Sequence, residues 1–260
     1  MSFETITTAR EGDVLTITLN RPERLNACPP DMADEILTAI RDLDGARAVL
    51  ITGAGRAFCS GADLAARGER SVGGGEGAFT ALGRHYNPMV MALASLPVPV
   101  IAAVNGPAAG IGCSIALAAD FVIAGSSAYF LQAFVNIGLV PDGGASWMLP
   151  RLVGKAQATR MMMLGEKIPA EEAERIGLIY RRVADDALMD EAKALAAKLA
   201  GGPTVALGAM KQAIRRGLEA DFSTTLQYEA EAQRVAGNSK DAMEGGMAFL
   251  QKRKPEFKGA

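Results

Sequence analysis

Residues 97–120, PVPVIAAVNGPAAGIGCSIALAAD, constrain the fold more than any other stretch of the chain. Val98, Val100, Ile101, Ala102, Ala103 and Val104 form a short apolar run bracketed by Pro97, Pro99 and Gly106, the pattern of a strand buried on both faces. Asn105-Gly106-Pro107 breaks the strand as a turn. Gly110 and Gly112 follow, and from Cys113 the pattern is helical and apolar up to Asp120. A strand, a glycine turn and a buried helix in that order leave free N–H groups at the helix start. Without Cβ atoms at the two glycines, another atom can approach that backbone closely. Two readings stay open: tight strand–helix packing, or a preformed oxyanion or anion site at a helix N-terminus.

The rest of the chain narrows the function classes. With 260 residues and 49% hydrophobic content it can bury a full core. A net charge of -2, with no Lys/Arg block interleaved with aromatics, gives nucleic-acid binding no electrostatic support. No apolar run reaches the length of a membrane span, and MSFETITTAREGD does not read as a signal peptide. Cys28, Cys59 and Cys113 form no C-x-x-C pair, so a reduced, cytoplasmic protein is expected. His85 is the only histidine, which argues against a His-based metal centre or triad; it reads as an ordinary helix residue.

In chain order, residues 14–19 alternate as a strand, and Arg21 to Asn26 form a polar loop. Pro29 and Pro30 precede a helix with Met32, Ile36, Ile40 and Leu43 at helical spacing. Residues 48–52 read as a second strand. Gly53 and Gly55 after it do not make a dinucleotide fingerprint, because Phe58 stands where the third glycine belongs. The glycine-rich run 66–77 reads as a surface loop or a flap over a site, the flap being favoured because it directly follows Ala62-Asp63. A helix over 79–95 carries Pro88, which should bend or restart it. Residues 121–124, 128–131 and 178–183 are further strand candidates, and 156–164 and 169–175 are helix candidates. Three or four helices then run to Lys254, so residues 1–200 form an α/β body and 201–260 a helical region packing on it or on a neighbouring subunit. The Met161-Met162-Met163 run is expected to serve packing only.

Five segments, taken together and in order, resemble one family. They are Arg21-Pro22-Glu23-Arg24-Leu25-Asn26-Ala27, Phe58-Cys59-Ser60-Gly61-Ala62-Asp63-Leu64, Ala103-Val104-Asn105-Gly106, Gly138-Leu139-Val140-Pro141-Asp142-Gly143-Gly144 and Leu149-Pro150-Arg151-Leu152-Val153-Gly154. The chain is similar in them to the crotonase, or enoyl-CoA hydratase/isomerase, superfamily. Tyr86-Asn87-Pro88 and residues 137–144 look closest to its ring-epoxide isomerase branch, which acts in phenylacetyl-CoA degradation. The resemblance implies an α/β fold, a crotonase-like superhelix of ββα units with a helical C-terminal trimerisation region. It also implies an acyl-CoA thioester substrate, a homotrimer or dimer of trimers, and no metal or other cofactor.

By the same resemblance, two backbone N–H groups form an oxyanion hole, on Ala62 and on Ile111, within a pocket that Ser60, Asp63, Leu64 and Gly110 complete. Two fixed donors suit an enolate formed beside a thioester carbonyl, each worth about 3 kcal/mol in the transition state. Family hydratases carry two glutamates where this chain has Ser114 and Phe134, which puts hydration in doubt. Asp142 matches the carboxylate of the isomerases, and one carboxylate suits a proton shuttle. Its other reading is the N-cap of a helix beginning at Gly143. Arg24, Leu25 and Ala27 match the coenzyme-lining loop, and Phe249 and Lys252 match C-terminal residues that reach a neighbouring subunit's coenzyme. Arg24 alternatively reads as a solvated loop charge and Phe249 as core. The expected activity is that of an acyl-CoA isomerase; a hydratase with an atypical acid–base set and a low-turnover acyl-CoA-binding protein are the rivals.

Overall fold

A computed structural model describes residues 3–63 and 74–260. Strands β1 (Ile6–Glu11), β2 (Val14–Leu19), β3 (Ala48–Gly53), β4 (Val100–Val104), β6 (Phe121–Gly125) and β9 (Arg181–Val183) form a six-stranded sheet in the order β1-β2-β3-β4-β6-β9. β1 and β2 pair antiparallel through a turn at Gly12, whose φ is +58°, and every later pairing in the sheet is parallel. β1 escaped the sequence reading because five of its six side chains are exposed, so its period-two signal is lost.

β3 and β4 are buried at every position, as continuous apolar strands require. Their side chains divide by alternation. Val49, Ile51, Val100, Ala102 and Val104 face one core with α1 (Pro30–Arg41), α3 (Asn87–Ser95) and α4 (Ile111–Leu117). Leu50, Ile101 and Ala103 face a second core sealed by α7 (Leu188–Ala200) through Leu188, Ala192, Ala196 and Ala200.

A second, smaller sheet positions the site. β5 (Pro107–Ala109), β7 (Tyr129–Leu131) and β8 (Lys167–Pro169) pair in the order β5-β7-β8. Single bridges between Cys59 and Ala108, and between Cys28 and Ala62, extend that ladder backwards along the chain. The inner large-sheet strands β2, β3, β4 and β6 therefore hand the chain to a rung of the small ladder before a helix follows: β4–β5–α4 is one such unit, and β6–β7 leading to α5 (Ala145–Leu164) is the next.

Pro88 does not restart the helix. A short helix α2 (Gly75–Ala81) runs into a π-helical turn over Leu82–Tyr86 and on into α3 with right-handed helical angles at Tyr86 and Asn87, so Pro88 sits directly after the π-turn within one continuous helical path. His85 in the π turn is tied to α1, with Nδ1 2.8 Å from Asp34 Oδ2. α5 begins earlier than the 156–164 expected from the sequence and breaks at Gly154, where φ is +73°. The turn before Pro150 is helical, because a proline in the helix interior can be accommodated where packing favours it. After α6 (Ala170–Arg175) and α7, the helices α8 (Thr204–Gly217), α9 (Phe222–Gly237) and α10 (Lys240–Leu250) follow, broken at Gly201-Gly202-Pro203, after Gly217 and after Gly237. α8 is anchored by Lys211, whose Nζ lies 2.8 Å from Asp120 Oδ2 and 3.2 Å from the Leu93 carbonyl oxygen. Among the described residues no helix is long and apolar enough to cross a membrane.

Candidate active site

The turn between β5 and α4 shows the tight packing that was one of the two readings the sequence left open, and leaves a candidate donor at the helix start. Gly110 is the N-cap of α4 with φ +52° and ψ −125°, a conformation that excludes a side chain. Gly112 serves packing: a Cβ there would lie 2.6 Å from Cys59 Cβ and 2.8 Å from Cys59 Sγ. The backbone of α4 is thus pressed onto the 57–63 loop. Gly110 N–H is taken by the Leu131 carbonyl at 2.9 Å and Ser114 N–H by Gly110 at 3.2 Å. Among the described residues no backbone carbonyl accepts from Ile111 N–H, the first donor of the helix.

A second candidate donor follows from ladder geometry. Cys28 N–H donates to Gly61 C=O at 2.8 Å and Asp63 N–H donates to Cys28 C=O at 3.1 Å. In a trans peptide, C=O and N–H point in opposite directions. Because Gly61 C=O faces Cys28, the N–H of Ala62 faces away from it. A Cβ on Gly61 would be 3.4 Å from the Ala109 carbonyl oxygen, and one on Gly110 would be 3.7 Å from Gly61 Cα. The two glycines touch, and the residues directly after them, Ala62 and Ile111, carry the two candidate donors.

Asp142 arrives on a third segment. Gly143 and Gly144 follow it at φ +58° and +84°, and a Cβ on Gly143 would fall 2.5 Å from Ile111 Cδ1 and 2.9 Å from Ser114 Cβ. Ser114 Oγ donates to the Asp142 carbonyl oxygen at 3.0 Å, so the turn is seated on α4 beside Ile111. Helix α5 starts at Ala145 with Gly144 as its N-cap and no side-chain cap bond. The N-cap reading of Asp142 is thereby corrected: two left-handed glycines separate it from the helix, and its Oδ1 is shielded from solvent. Phe134, on the 3-10 turn Ala133–Ile137, lays its ring 3.6 Å from where a Gly110 Cβ would be.

The loop after β2 lies alongside. Leu25 and Asn26 are both left-handed, with φ of 51° and 55°, a conformation costing about 1–2 kcal/mol for a side chain like leucine's. Asn26 holds it in place, fully buried: its Oδ1 accepts from Arg21 N–H at 2.9 Å and its Nδ2 donates to Ala54 and Ala57 carbonyls at 2.9 and 2.8 Å. Ser60 N–H donates to Leu25 C=O at 3.0 Å and Ser60 Oγ to Arg24 C=O at 3.3 Å, zipping this loop to the donor loop. Arg24 is exposed.

Not every residue singled out from the sequence meets here. The Asp63 side chain is buried and pairs with Arg21 at 2.7 Å, so it braces the loop instead of facing a ligand. Leu64, and residues 66–73 of the glycine-rich run, lie outside the described residues. Phe249 is 84% exposed at the end of α10, which removes the core reading, and Lys252 follows it at φ 56°; in this chain Phe249 packs on neither core. Sequence reasoning missed Arg21, Asn26 and Tyr86 as supports. Besides the local bonds between Arg21, Asn26 and Ala27, their partners are the Ala54, Ala57 and Cys28 carbonyls and the Asp63 carboxylate, remote in sequence and revealed by no local pattern. The three thiols are fully buried, and burial pushes Cys59 up to about 11, Cys113 up to about 12 and Cys28 well up too, so they stay protonated and unreactive near neutral pH.

The profile of the enoyl-CoA hydratase/isomerase family matches residues 9–260. Over 252 residues the chain is 45% identical to the 1,2-epoxyphenylacetyl-CoA isomerase of Escherichia coli K12, covering 96% of each. It is 47% identical to a Rhodobacter capsulatus protein named "Probable enoyl-CoA hydratase", covering 100% of both. The crystal structure of an enoyl-CoA hydratase from Bacillus anthracis superposes with a TM-score of 0.92 at 34% identity, covering 99% of this chain and 100% of that one. The succession of large-sheet strand, small-ladder rung and helix is therefore the crotonase-like superhelix that the sequence motifs implied.

Proposed function

The chain belongs to the enoyl-CoA hydratase/isomerase family, and we propose that within it this protein is an acyl-CoA isomerase. The thioester carbonyl sits between the N–H groups of Ala62 and Ile111, and Asp142 moves the proton. Removing a proton beside the thioester places negative charge on its oxygen, where two preorganised donors act most strongly. The carboxylate then returns the proton to a different carbon.

The observation that carries this reading is the carboxylate inventory of the site. Segments 57–63, 105–117 and 129–144 contain two acidic residues, Asp63 and Asp142. Asp63 is committed to Arg21, while Asp142 is held beside Ile111 and Ser114 by the Gly143 contact. Ser114 and Phe134 supply no second carboxylate to hold and deprotonate a water. The coenzyme lies along Arg24, Leu25 and Ala27, with Phe249 and Lys252 reaching a neighbouring subunit's coenzyme in a homotrimer. Hydration is the second reading, favoured by the name of the Rhodobacter capsulatus relative.

Product mass separates the two on a panel of linear enoyl-CoA and ring-epoxide acyl-CoA thioesters, because isomerisation leaves mass unchanged and hydration adds one water. Asp142→Asn should lower isomerisation about 100-fold or more, the worth of a positioned acid–base group, with the melting temperature unchanged. An Asn variant with full activity, or crotonyl-CoA hydration by the parent at about 1–1,000 per second, would overturn the isomerase reading.

A further inference from the structure

One guanidinium spans the two loops that meet at Ala62. Cys28 and Ala62 are bridge partners, and the residues next to them, Ala27 and Asp63, both belong to Arg21. Arg21 Nη1 donates to the Ala27 carbonyl oxygen at 2.6 Å and lies 2.7 Å from Asp63 Oδ2. The direction of Ala62 N–H is set by the Gly61 peptide plane, whose carbonyl accepts from Cys28 N–H at 2.8 Å and more weakly from the Cys59 thiol at 3.8 Å. A slip of the two loops would rotate that plane. The Cys28 carbonyl is itself gripped twice, by Asp63 N–H at 3.1 Å and by Tyr86 Oη, which donates to it at 2.8 Å.

An arginine in a loop expected to line a coenzyme invites a phosphate-binding role. The geometry argues otherwise: its side chain is 20% exposed, and its Nη1 is already shared between a carbonyl and a buried carboxylate. A charge-assisted contact of this kind is short, directional and roughly twice as strong as a neutral one. Arg24, exposed on the same loop, has no ion pair among the described residues and is better placed to meet a ligand.

We infer that Arg21 is a positioning residue: its clamp on Ala27 and Asp63 fixes the Ala62 N–H as an oxyanion donor. The inference rests on the oxyanion reading proposed above. Arg21 does not touch the substrate and acts through the register of two loops.

The test reads the donor directly. Hexanoyl-CoA labelled with 13C at the thioester carbonyl has no double bond to move or hydrate, and its carbonyl stretch falls when donors polarise it. Difference infrared spectra are recorded for the parent, Arg21→Lys, and the double variant Arg21→Met/Asp63→Asn. The double variant removes both charges, since Arg21→Met alone would take the guanidinium away from a buried carboxylate. The parent should show a clear downshift on binding. The double variant should lose at least half of it, with kcat down about 10–100-fold and affinity for the probe changed by about threefold or less. Arg21→Lys keeps a charge beside Asp63 but cannot span both partners, so it should fall between them. If the double variant does not fold, the lysine variant carries the same comparison. A folded variant that binds the probe with the parental downshift and kcat overturns the clamp while leaving the oxyanion reading intact. A parent with no downshift overturns the oxyanion reading itself, and the clamp with it.

Discussion

Gly112→Ala sets helix propensity against packing at a single atom. Gly112 lies in α4, and on an open helix surface the substitution would stabilise by about 1 kcal/mol. Here the added methyl would lie 2.6 Å from Cys59 Cβ and 2.8 Å from Cys59 Sγ, and would press on the Cys59 carbonyl as well. Carbon contacts are comfortable at about 3.5–4.0 Å, so the shortfall is roughly 1 Å. Neither side gives easily. Cys59 is fully buried, its N–H bonds to Pro107 and its carbonyl accepts from Ala109 at 2.9 Å. Overpacking of this kind costs about 1–3 kcal/mol, which exceeds the propensity gain. The net expectation is a loss of up to about 2 kcal/mol, with the start of α4 displaced from the 57–63 loop. Because Ile111 N–H begins that helix, a displacement near 1 Å should lower turnover about 100-fold. Urea denaturation and turnover of the acyl-CoA substrate measure the two effects. Gly246→Ala on α10, where a Cβ would meet nothing within 4 Å, is the control; it should gain about 0.5–1 kcal/mol at parental turnover. Parental activity together with raised stability in Gly112→Ala would refute the packing argument.

Two further outcomes follow from the C-terminal helices. Phe222, Phe249 and Leu250 are 79%, 84% and 81% exposed, more apolar surface than a free helical tail keeps in water; light scattering at micromolar concentration should show an oligomer, and a monomer would contradict this. Glu244, bonded by Arg253 and then by Glu256 N–H, and Asp221, bonded by Thr224 N–H and then by the Ser223 and Thr224 hydroxyls, are each held down to about 2. Their folded pKa values lie below the unfolded ones, so the stability they add is present above about pH 4 and is lost as pH falls towards 2. Both are surface groups, so the effect is small and screened by salt. The far-UV circular dichroism of Asp221→Asn/Glu244→Gln should change less over that window than the parent's, and identical curves would refute the assignment.

The strand, glycine turn and helix of residues 97–120 were legible because apolar runs and glycines act locally. The hydrophobic run of β4 has one stable use, burial on both faces, and Gly110 has one reason to lack a side chain, its φ of +52°. The motifs around Arg21, Phe58, Asn105, Asp142 and Leu149 were legible as a family pattern in the same way. What escaped was whatever depends on a partner remote in sequence. β1 carries almost no buried face and exists because β2 offers it an antiparallel edge. The first half of α5 contains Pro150, a local signal against helix that packing overrode.

The sequence by itself determined which residues can carry this chemistry: which glycines free the backbone, where the acidic candidate Asp142 stands, and which positions lack a second carboxylate. Tertiary structure alone decided how they meet. It made Gly112 a packing residue and Gly110 a conformational one. It placed Asp142 beside α4 instead of at the cap of α5, and it turned Asp63 inward to Arg21. The physical reason is range. Backbone conformation and hydrophobic period are set within a few residues, whereas the direction of an N–H or a carboxylate is set by ladder partners and close contacts that folding brings together from distant parts of the chain.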